Sequence, residues 1–210
     1  MKHIVLSEKN WKEVLKESVR LLRRGGVVVY PTETSYGIGV DSTKSGAVAK
    51  IFRIKGREEG KPLSVLMASK VMAKQYAFFS QDAERLWNAF LPGALTLRVS
   101  PKIGAKFPCA RADGTVGIRV SSHPFARALV RMYGKPITAT SANLANEPSL
   151  YDPKKIIAVF EKRHARPDLL IDAGLLPKRS ASTVVDCIGK SVRLLRKGPI
   201  TATQIKKALK

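Results

Sequence analysis

The stretch V-V-V-Y-P-T-E-T-S-Y-G-I-G (residues 27–39) decides the fold that the sequence predicts. Its first four residues are an apolar, largely β-branched run, which is typical of a short strand buried on both faces. Pro31 ends this strand, and five residues with hydrogen-bonding side chains follow it, from Thr32 to Tyr36. Polar groups at the end of a buried strand are typical of ligand sites in α/β proteins. Gly37 and Gly39 would let the backbone turn there and approach a ligand closely.

A basic segment comes next, after a predicted helix. Residues from position 44 onward show helical spacing of one apolar stripe, made of Ala47, Val48, Ile51 and Phe52. Lys55, Arg57 and Lys61 then lie at or beyond the end of this helix, next to two glycines. We expect a flexible cationic loop that folds its charges over a polyphosphate. A solvated basic loop remains the alternative, because most runs of charge are solvated surfaces.

The remaining periodicity indicates further strands and helices in alternation. Strands are predicted at residues 63–67, 95–99, 116–120, 137–140, 169–171, 183–187 and 191–196. Helices are predicted at residues 10–24, 69–79, 80–90, 124–133 and 153–160 and from Thr201 onward. Asn10 with Glu13, and Thr201 with Gln204, have the spacing of capping boxes. The alternation predicts one α/β domain over residues 1–210, with a mixed β-sheet flanked by helices.

Composition limits the classes of protein that fit. The chain has 210 residues and a formal net charge of +22, which favours polyanions such as nucleotides or RNA as partners. Cys109 and Cys187 lack the spacing of a zinc site or a disulfide framework, so we expect buried free thiols. No secretory signal and no run long enough to span a membrane are present, which indicates a soluble, cytoplasmic protein.

The common nucleotide and hydrolase motifs are absent from the sequence. No G-x-x-x-x-G-K-[ST] loop occurs, and Ser42 stands where a dinucleotide fingerprint beginning at Gly37 needs its third glycine. No G-x-S-x-G elbow occurs either. We interpret His3, His123 and His164 as surface or capping residues, because no orienting partner accompanies them.

Seven motifs, in this order, resemble the YrdC-like family, the threonylcarbamoyl-AMP synthases. They are Y-P-T-E-T-S-Y-G-I-G (30–39), K-G-R with K-P-L (55–57, 61–63), L-P-G-A-L-T (91–96), V-G-I-R-V (116–120), T-S-A-N (140–143), S-T-V-V-D (182–186) and L-R-K-G-P-I-T (195–201). The resemblance covers residues 11–201. It implies a twisted sheet around a basic concave cavity, in the single-domain form without the C-terminal domain of the larger branch.

The resemblance also implies an activity. The enzyme would join L-threonine, bicarbonate and ATP to give threonylcarbamoyl-AMP and pyrophosphate, for the threonylcarbamoyl-adenosine modification of tRNA. A downstream threonylcarbamoyl transferase complex would use the product, and tRNA or other RNA is a further candidate partner. Mg²⁺ would accompany ATP, held by phosphates and water rather than by protein ligands.

Twelve site residues follow from the resemblance. On the ATP side it implies Lys55, Arg57, Lys61, Thr115, Ser141, Asn143, Ser149 and Arg196. On the threonine side it implies Thr32, Arg119, Ala139 and Ser182. Lys55 and Arg57 would be the catalytic pair on the phosphates, and Arg119 would grip the threonine carboxylate with its planar fork. Leu66 departs from the histidine of longer relatives, and Arg179 and Ala181 depart from a glycine and an acid.

The residue types suit this chemistry, although other functions remain open. All the reactants carry carboxylate, carbonate or phosphate groups, so fixed cations must offset their repulsion, and no protein nucleophile is required. A non-catalytic RNA-binding protein could use the same basic cavity. A paralogue with another carbamoyl or adenylate chemistry is a third candidate. Taken alone, Ser141 and Asn143 could close a turn, and Arg119 could pair with a surface carboxylate.

Overall fold

The computed structural model describes residues 1–189 and 191–210. Within them the strands are β1 (Lys2–Val5), β2 (Val28–Pro31), β3 (Tyr36–Gly39), β4 (Ser64–Leu66), β5 (Leu95–Val99), β6 (Val116–Arg119), β7 (Ile137–Ser141), β8 (Leu169–Asp172), β9 (Thr183–Asp186) and β10 (Arg193–Arg196). The helices are α1 (Trp11–Arg23), α2 (Ser45–Lys55), α3 (Lys70–Tyr76), α4 (Gln81–Phe90), α5 (Pro124–Tyr133), α6 (Pro153–Phe160) and α7 (Ala202–Leu209).

The strands form one mixed sheet in the order β1-β8-β2-β3-β7-β4-β6-β5-β9-β10. Strand β8 pairs in parallel with β1 and β2, whereas β3 pairs antiparallel with both β2 and β7. On the other side of β7, β4 and β6 are parallel to each other. The predicted α/β class with a mixed sheet is therefore confirmed.

Helices cover both faces of this sheet. On one face, α1 and α5 pack against each other and against side chains such as Val28 and Tyr30. On the other face, residues of α2, α3, α4, α6 and α7 form a second core, which also includes the neighbouring residues Val27 and Val29. Alternate residues of this run thus enter two different cores, which confirms the predicted burial on both faces.

Two local predictions were wrong, and one strand was missed. Tyr36–Gly39 is a strand instead of a turn. Glycine is required at position 39 by close packing, because a Cβ there would lie 2.8 Å from the ring of Tyr30. The Asn10 side chain accepts from the backbone N–H of Ser7 instead of capping α1. Strand β1 was missed because its four residues are mostly exposed and carry little periodic signal.

Other local predictions are confirmed. Thr201 and Gln204 form a capping box on α7, and His123 caps α5 with Pro124 in its first turn. Cys109 and Cys187 are free and buried. Among the helices of the described residues, none combines the length and the apolar character needed to cross a bilayer.

Candidate active site

A cavity of about 230 Å³ lies where several elements of the sheet end. The turn between β2 and β3 forms one wall, and residues at the ends of β6, β7 and β10 form others. Three arginines, Arg57, Arg119 and Arg196, line it, and most of the remaining polar lining is Ser and Thr side chains. Such a surface offers fixed positive charge and hydrogen-bond donors, as an anionic ligand requires.

The predicted site residues divide into two groups. Eight line the cavity: Thr32, Arg57, Arg119, Ala139, Ser141, Ser149, Ser182 and Arg196. Four are not part of its lining: Lys55, Lys61, Thr115 and Asn143. Leu66 lines the cavity as well and is almost fully buried, so an apolar side chain forms the wall at that point.

Arg119, the last residue of β6, is held by a buried acidic partner. Its Nη2 donates to Glu33 Oε1 at 2.7 Å and to Thr34 Oγ1 at 3.0 Å. Glu33 Oε2 accepts a hydrogen bond from the hydroxyl of Ser121. The side chains of Arg119 and Glu33 are only 10% and 9% exposed, so the partner is buried and is not a surface carboxylate. Arg119 Nε is buried and has no acceptor among the described residues.

This pairing could not be predicted from local sequence patterns, because 86 positions separate Arg119 from Glu33. Glu33 is ionised in the folded protein. Burial alone would raise its pKa, but the charge of Arg119 and the hydrogen bonds from Ser121 and Arg119 outweigh burial, and the pKa of Glu33 lies below its usual value.

This shift predicts how stability depends on pH. A carboxyl group whose pKa is lowered by folding stabilises the protein above its unfolded pKa, about 4.3 for Glu, and the contribution disappears as the pH falls through the folded value. We therefore expect wild type to be more stable than Glu33→Gln at neutral pH, with a difference that shrinks below about pH 5. Thermal melts of both proteins at a series of pH values measure this. A difference that grows toward acid would contradict the lowered pKa.

Thr32 organises the turn beside this pair. Its Oγ1 donates to the carbonyl of Ser35 at 2.6 Å and accepts from the N–H groups of Thr34 and Ser35 at 3.2 and 3.3 Å. A threonine hydroxyl that bonds to the backbone a few residues on is typical of such turns. The turn thereby fixes the positions of both Glu33 and Thr34 relative to β6.

Arg57 and Arg196 are held by uncharged groups. Arg57 Nη2 donates to the carbonyl of Pro62 at 3.1 Å, and its Nε is buried without an acceptor among the described residues. Arg196 donates to the carbonyl and the hydroxyl of Ser182, each at 3.0 Å. Burial lowers the pKa of both arginines, and the charge of Arg119 lowers that of Arg196 further. The two guanidinium groups are thus near enough for the charge of Arg119 to act on Arg196.

The prediction of a flexible cationic loop is wrong for Lys55. This residue ends α2 and is only 2% exposed. Its Nζ donates to the carbonyls of Ser141 and Asn143 at 2.5 and 2.7 Å and to Asn143 Oδ1 at 3.1 Å. Burial, with the nearby charge of Arg57, lowers the pKa of Lys55 to about 7. The sequence contains a signal for the burial of Lys55, because this residue follows Ile51 by four positions and so lies on the apolar face of α2.

Asn143, Thr115 and Lys61 make their contacts within the protein. The side-chain amide of Asn143 donates to the carbonyl of Glu147, and its oxygen accepts from the hydroxyl of Ser141 at 2.5 Å, so these residues close a turn after β7. The Thr115 hydroxyl donates to Asp113 at 2.5 Å. Lys61 pairs with Glu58 at 3.1 Å on the surface.

Comparisons with known proteins give a consistent result. The family model Sua5_yciO_yrdC, described as "Telomere recombination", matches residues 20–198. The chain is 38% identical over 193 residues to the threonylcarbamoyl-AMP synthase of Bacillus subtilis, covering 91% of this chain and 55% of that relative. It thus spans little more than half of the relative's length.

Solved structures agree over nearly the whole chain. Pyrococcus abyssi Sua5 in complex with L-threonine superposes with a TM-score of 0.88 at 29% identity, covering 99% of this chain and 60% of that one. Escherichia coli YciO superposes with a TM-score of 0.82 at 27% identity, covering 94% and 95% of the two chains. These likenesses confirm the expected arrangement of the sheet and helices.

Proposed function

Because the chain belongs to the Sua5/YciO/YrdC family, we infer that it is a threonylcarbamoyl-AMP synthase. It joins L-threonine, bicarbonate and ATP, and it releases L-threonylcarbamoyladenylate and pyrophosphate. The observation that carries this inference is the convergence of Arg57, Arg119 and Arg196 on one cavity. Residues 1–210 act as one domain and supply these arginines from three distant parts of the chain.

Catalysis consists of positioning and charge stabilisation. The threonine amine attacks the carbon of CO₂ and loses a proton, or it attacks the carbon of bicarbonate, whose hydroxyl leaves as water with the amine proton. An oxygen of the resulting carbamate then attacks the α-phosphorus of ATP, and the bond to the leaving pyrophosphate breaks. Bringing a dianionic carbamate against a triphosphate is strongly repulsive, so fixed cations that need no rearrangement lower the barrier. No protein nucleophile enters these steps.

The two ends of the cavity hold different substrates. Arg119 binds the threonine carboxylate, and its Nε, which has no acceptor within the part of the chain that the structure describes, supports this assignment. Thr32, Ala139 and Ser182 contact the rest of the amino acid. On the ATP side, the phosphates and nucleoside lie against Arg57 and Arg196 with Ser141 and Ser149. Thr115 and Lys61 approach ATP only where the loops that carry them close over it.

Lys55 and Asn143 do not line the cavity, and they stabilise the segment that does. Three oxygens surround the Lys55 ammonium, so it fixes the segment from Ser141 to Asn143 instead of touching a phosphate in this conformation. Its catalytic contribution, shared with Arg57, is to hold positive charge and backbone in place next to the ATP phosphates. A buried cation still contributes to the field in the cavity.

Mg²⁺ enters with ATP. Among the described residues no group of three His, Cys, Asp or Glu could hold a metal ion, and the carboxylate of Glu33 is occupied by Arg119 and Ser121. The phosphates and water would hold the ion, as is common for Mg²⁺ at nucleotide sites. When bound, it neutralises part of the phosphate charge.

A downstream threonylcarbamoyl transferase complex takes up the product, and tRNA is the final acceptor of the threonylcarbamoyl group. We place the enzyme in the cytoplasm, where ATP and tRNA are available. The net charge of +22 favours direct contact with tRNA or other RNA. A protein that only bound RNA through this cavity would release no pyrophosphate.

We expect pyrophosphate release only when L-threonine, bicarbonate and ATP are all present. Coupled detection of pyrophosphate, with each reactant omitted in turn, measures this. Arg57→Ala should abolish release, while Arg53→Ala, at an exposed position of α2 four residues earlier, should not change it. Release without threonine, or none at all from folded protein, would overturn the synthase assignment.

A further inference from the structure

The three arginines of the cavity have chemically different partners. Arg57 is held by a backbone carbonyl, and Arg196 by a carbonyl and a hydroxyl. Arg119 alone among them, as far as the described residues show, is held by a carboxylate, that of Glu33. Two of the arginines therefore keep their whole positive charge, whereas the third is half of a nearly neutral pair.

Glu33 is built into this position from several sides. One carboxylate oxygen accepts from Arg119 and the other from Ser121, and the turn organised by Thr32 fixes the backbone that carries Glu33. Thr34 accepts from the same Arg119 nitrogen that Glu33 binds. Glu33 itself does not line the cavity, so it acts on a ligand through Arg119 and through its charge, not by direct contact. Its low exposure keeps the interaction poorly screened by solvent.

The distribution of charge divides the cavity into two kinds of anion site. A phosphate dianion is bound by uncompensated cations and is repelled by a nearby carboxylate. A carboxylate monoanion is repelled only half as strongly, and it can still accept from the fixed guanidinium. At the distances inside such a cavity, one buried unit charge changes the affinity for an anion by about tenfold or more.

We propose that Glu33 is a positioning and selectivity residue: it orients the Arg119 guanidinium and cancels its charge, so that this end of the cavity takes the carboxylate of an amino acid and rejects phosphate. The proposal rests on the function inferred above, because that function requires both anions in one cavity. Without such discrimination, phosphate groups would occupy the amino-acid end. Arg57 and Arg196 would then no longer be the preferred phosphate sites.

Inorganic phosphate is the probe, because its binding can be measured without turnover. In wild type we expect phosphate to compete with ATP but not with threonine in equilibrium dialysis. Glu33→Gln keeps the shape and can still bond to Arg119 and Ser121, but it removes the charge. This variant should bind phosphate at an additional site about tenfold or more tightly than wild type does, in competition with threonine. The double variant Glu33→Gln/Arg119→Gln should lose the additional site.

Ser121→Ala is the matched control, because it disturbs the same network but leaves the Glu33 charge in place. It should gain no phosphate site, whereas a merely structural role for Glu33 would make both variants behave alike. Glu33→Met repeats the test if the glutamine variant melts early. The proposal is overturned if phosphate binding is unchanged in Glu33→Gln, or if the gain persists in the double variant. Failure of the synthase assignment differs from both outcomes: wild type would then bind no threonine at all.

Discussion

Replacing Arg119 with alanine is expected to lower kcat/KM for threonine by about a hundredfold or more, because truncating one partner of a buried, hydrogen-bonded charge pair costs about 2–5 kcal/mol. The KM for ATP should change by less than about threefold, since Arg57 and Arg196 keep their contacts. Initial rates with threonine and ATP varied separately measure both effects. The split between substrates follows from where Arg119 lies, at the end of β6 beside the β2–β3 turn.

The same substitution leaves the Glu33 carboxylate buried without its cation. We expect the single variant to lose about 3–5 kcal/mol of stability, and this loss could be mistaken for a loss of activity. Glu33→Gln/Arg119→Ala removes both charges and is the control. It should recover most of the stability while threonine use stays low. Equal loss of threonine and ATP use in this folded double variant would contradict the role of Arg119.

Much of the fold could be predicted from local patterns. The run at residues 27–30, the caps of α5 and α7 and the period-two strands β5 and β6 each depend on neighbours in sequence, and each was predicted. Strand β3 was not predicted, because the sequence does not distinguish a glycine required by close packing from a glycine required by a turn. The Tyr30 ring that requires Gly39 lies on the adjacent strand.

Contacts between residues distant in sequence, which local patterns do not reveal, matter even more in the candidate site. Types of residue could be predicted, since an anion site needs Arg, Lys and hydroxyl groups. The hydrogen-bond partners of these residues could not be predicted. Arg119 bonds to Glu33, and Lys55 bonds to Ser141, each across 86 positions. These contacts decide whether a cation points into the cavity or into the protein. Sequence alone therefore grouped Lys55 with Arg57, although the two side chains point to different environments.

Because Lys55 points into the protein, its replacement is expected to have a large effect on stability. Lys55→Met keeps an unbranched side chain but removes the donor for the three oxygens of the Ser141–Asn143 segment. Buried acceptors without donors cost about 1–3 kcal/mol each before relaxation. We expect a loss of about 3–5 kcal/mol in total, which lowers Tm by about 10 °C for a domain of this size. ATP use should fall with stability, because Ser141 and Asn143 lose their support.

Arg57→Met is the matched comparison, because it removes a neighbouring cation that faces the cavity and whose Nε has no acceptor in residues 1–189 and 191–210. It should abolish ATP use while Tm stays nearly unchanged, since among the described residues the side chain gives up only one hydrogen bond, to Pro62. Removing its charge also relieves repulsion on the Lys55 ammonium. The two variants thus separate a cation that supports the wall from one that meets the phosphates. If Lys55→Met lost ATP use at an unchanged Tm, Lys55 would instead contact the nucleotide directly.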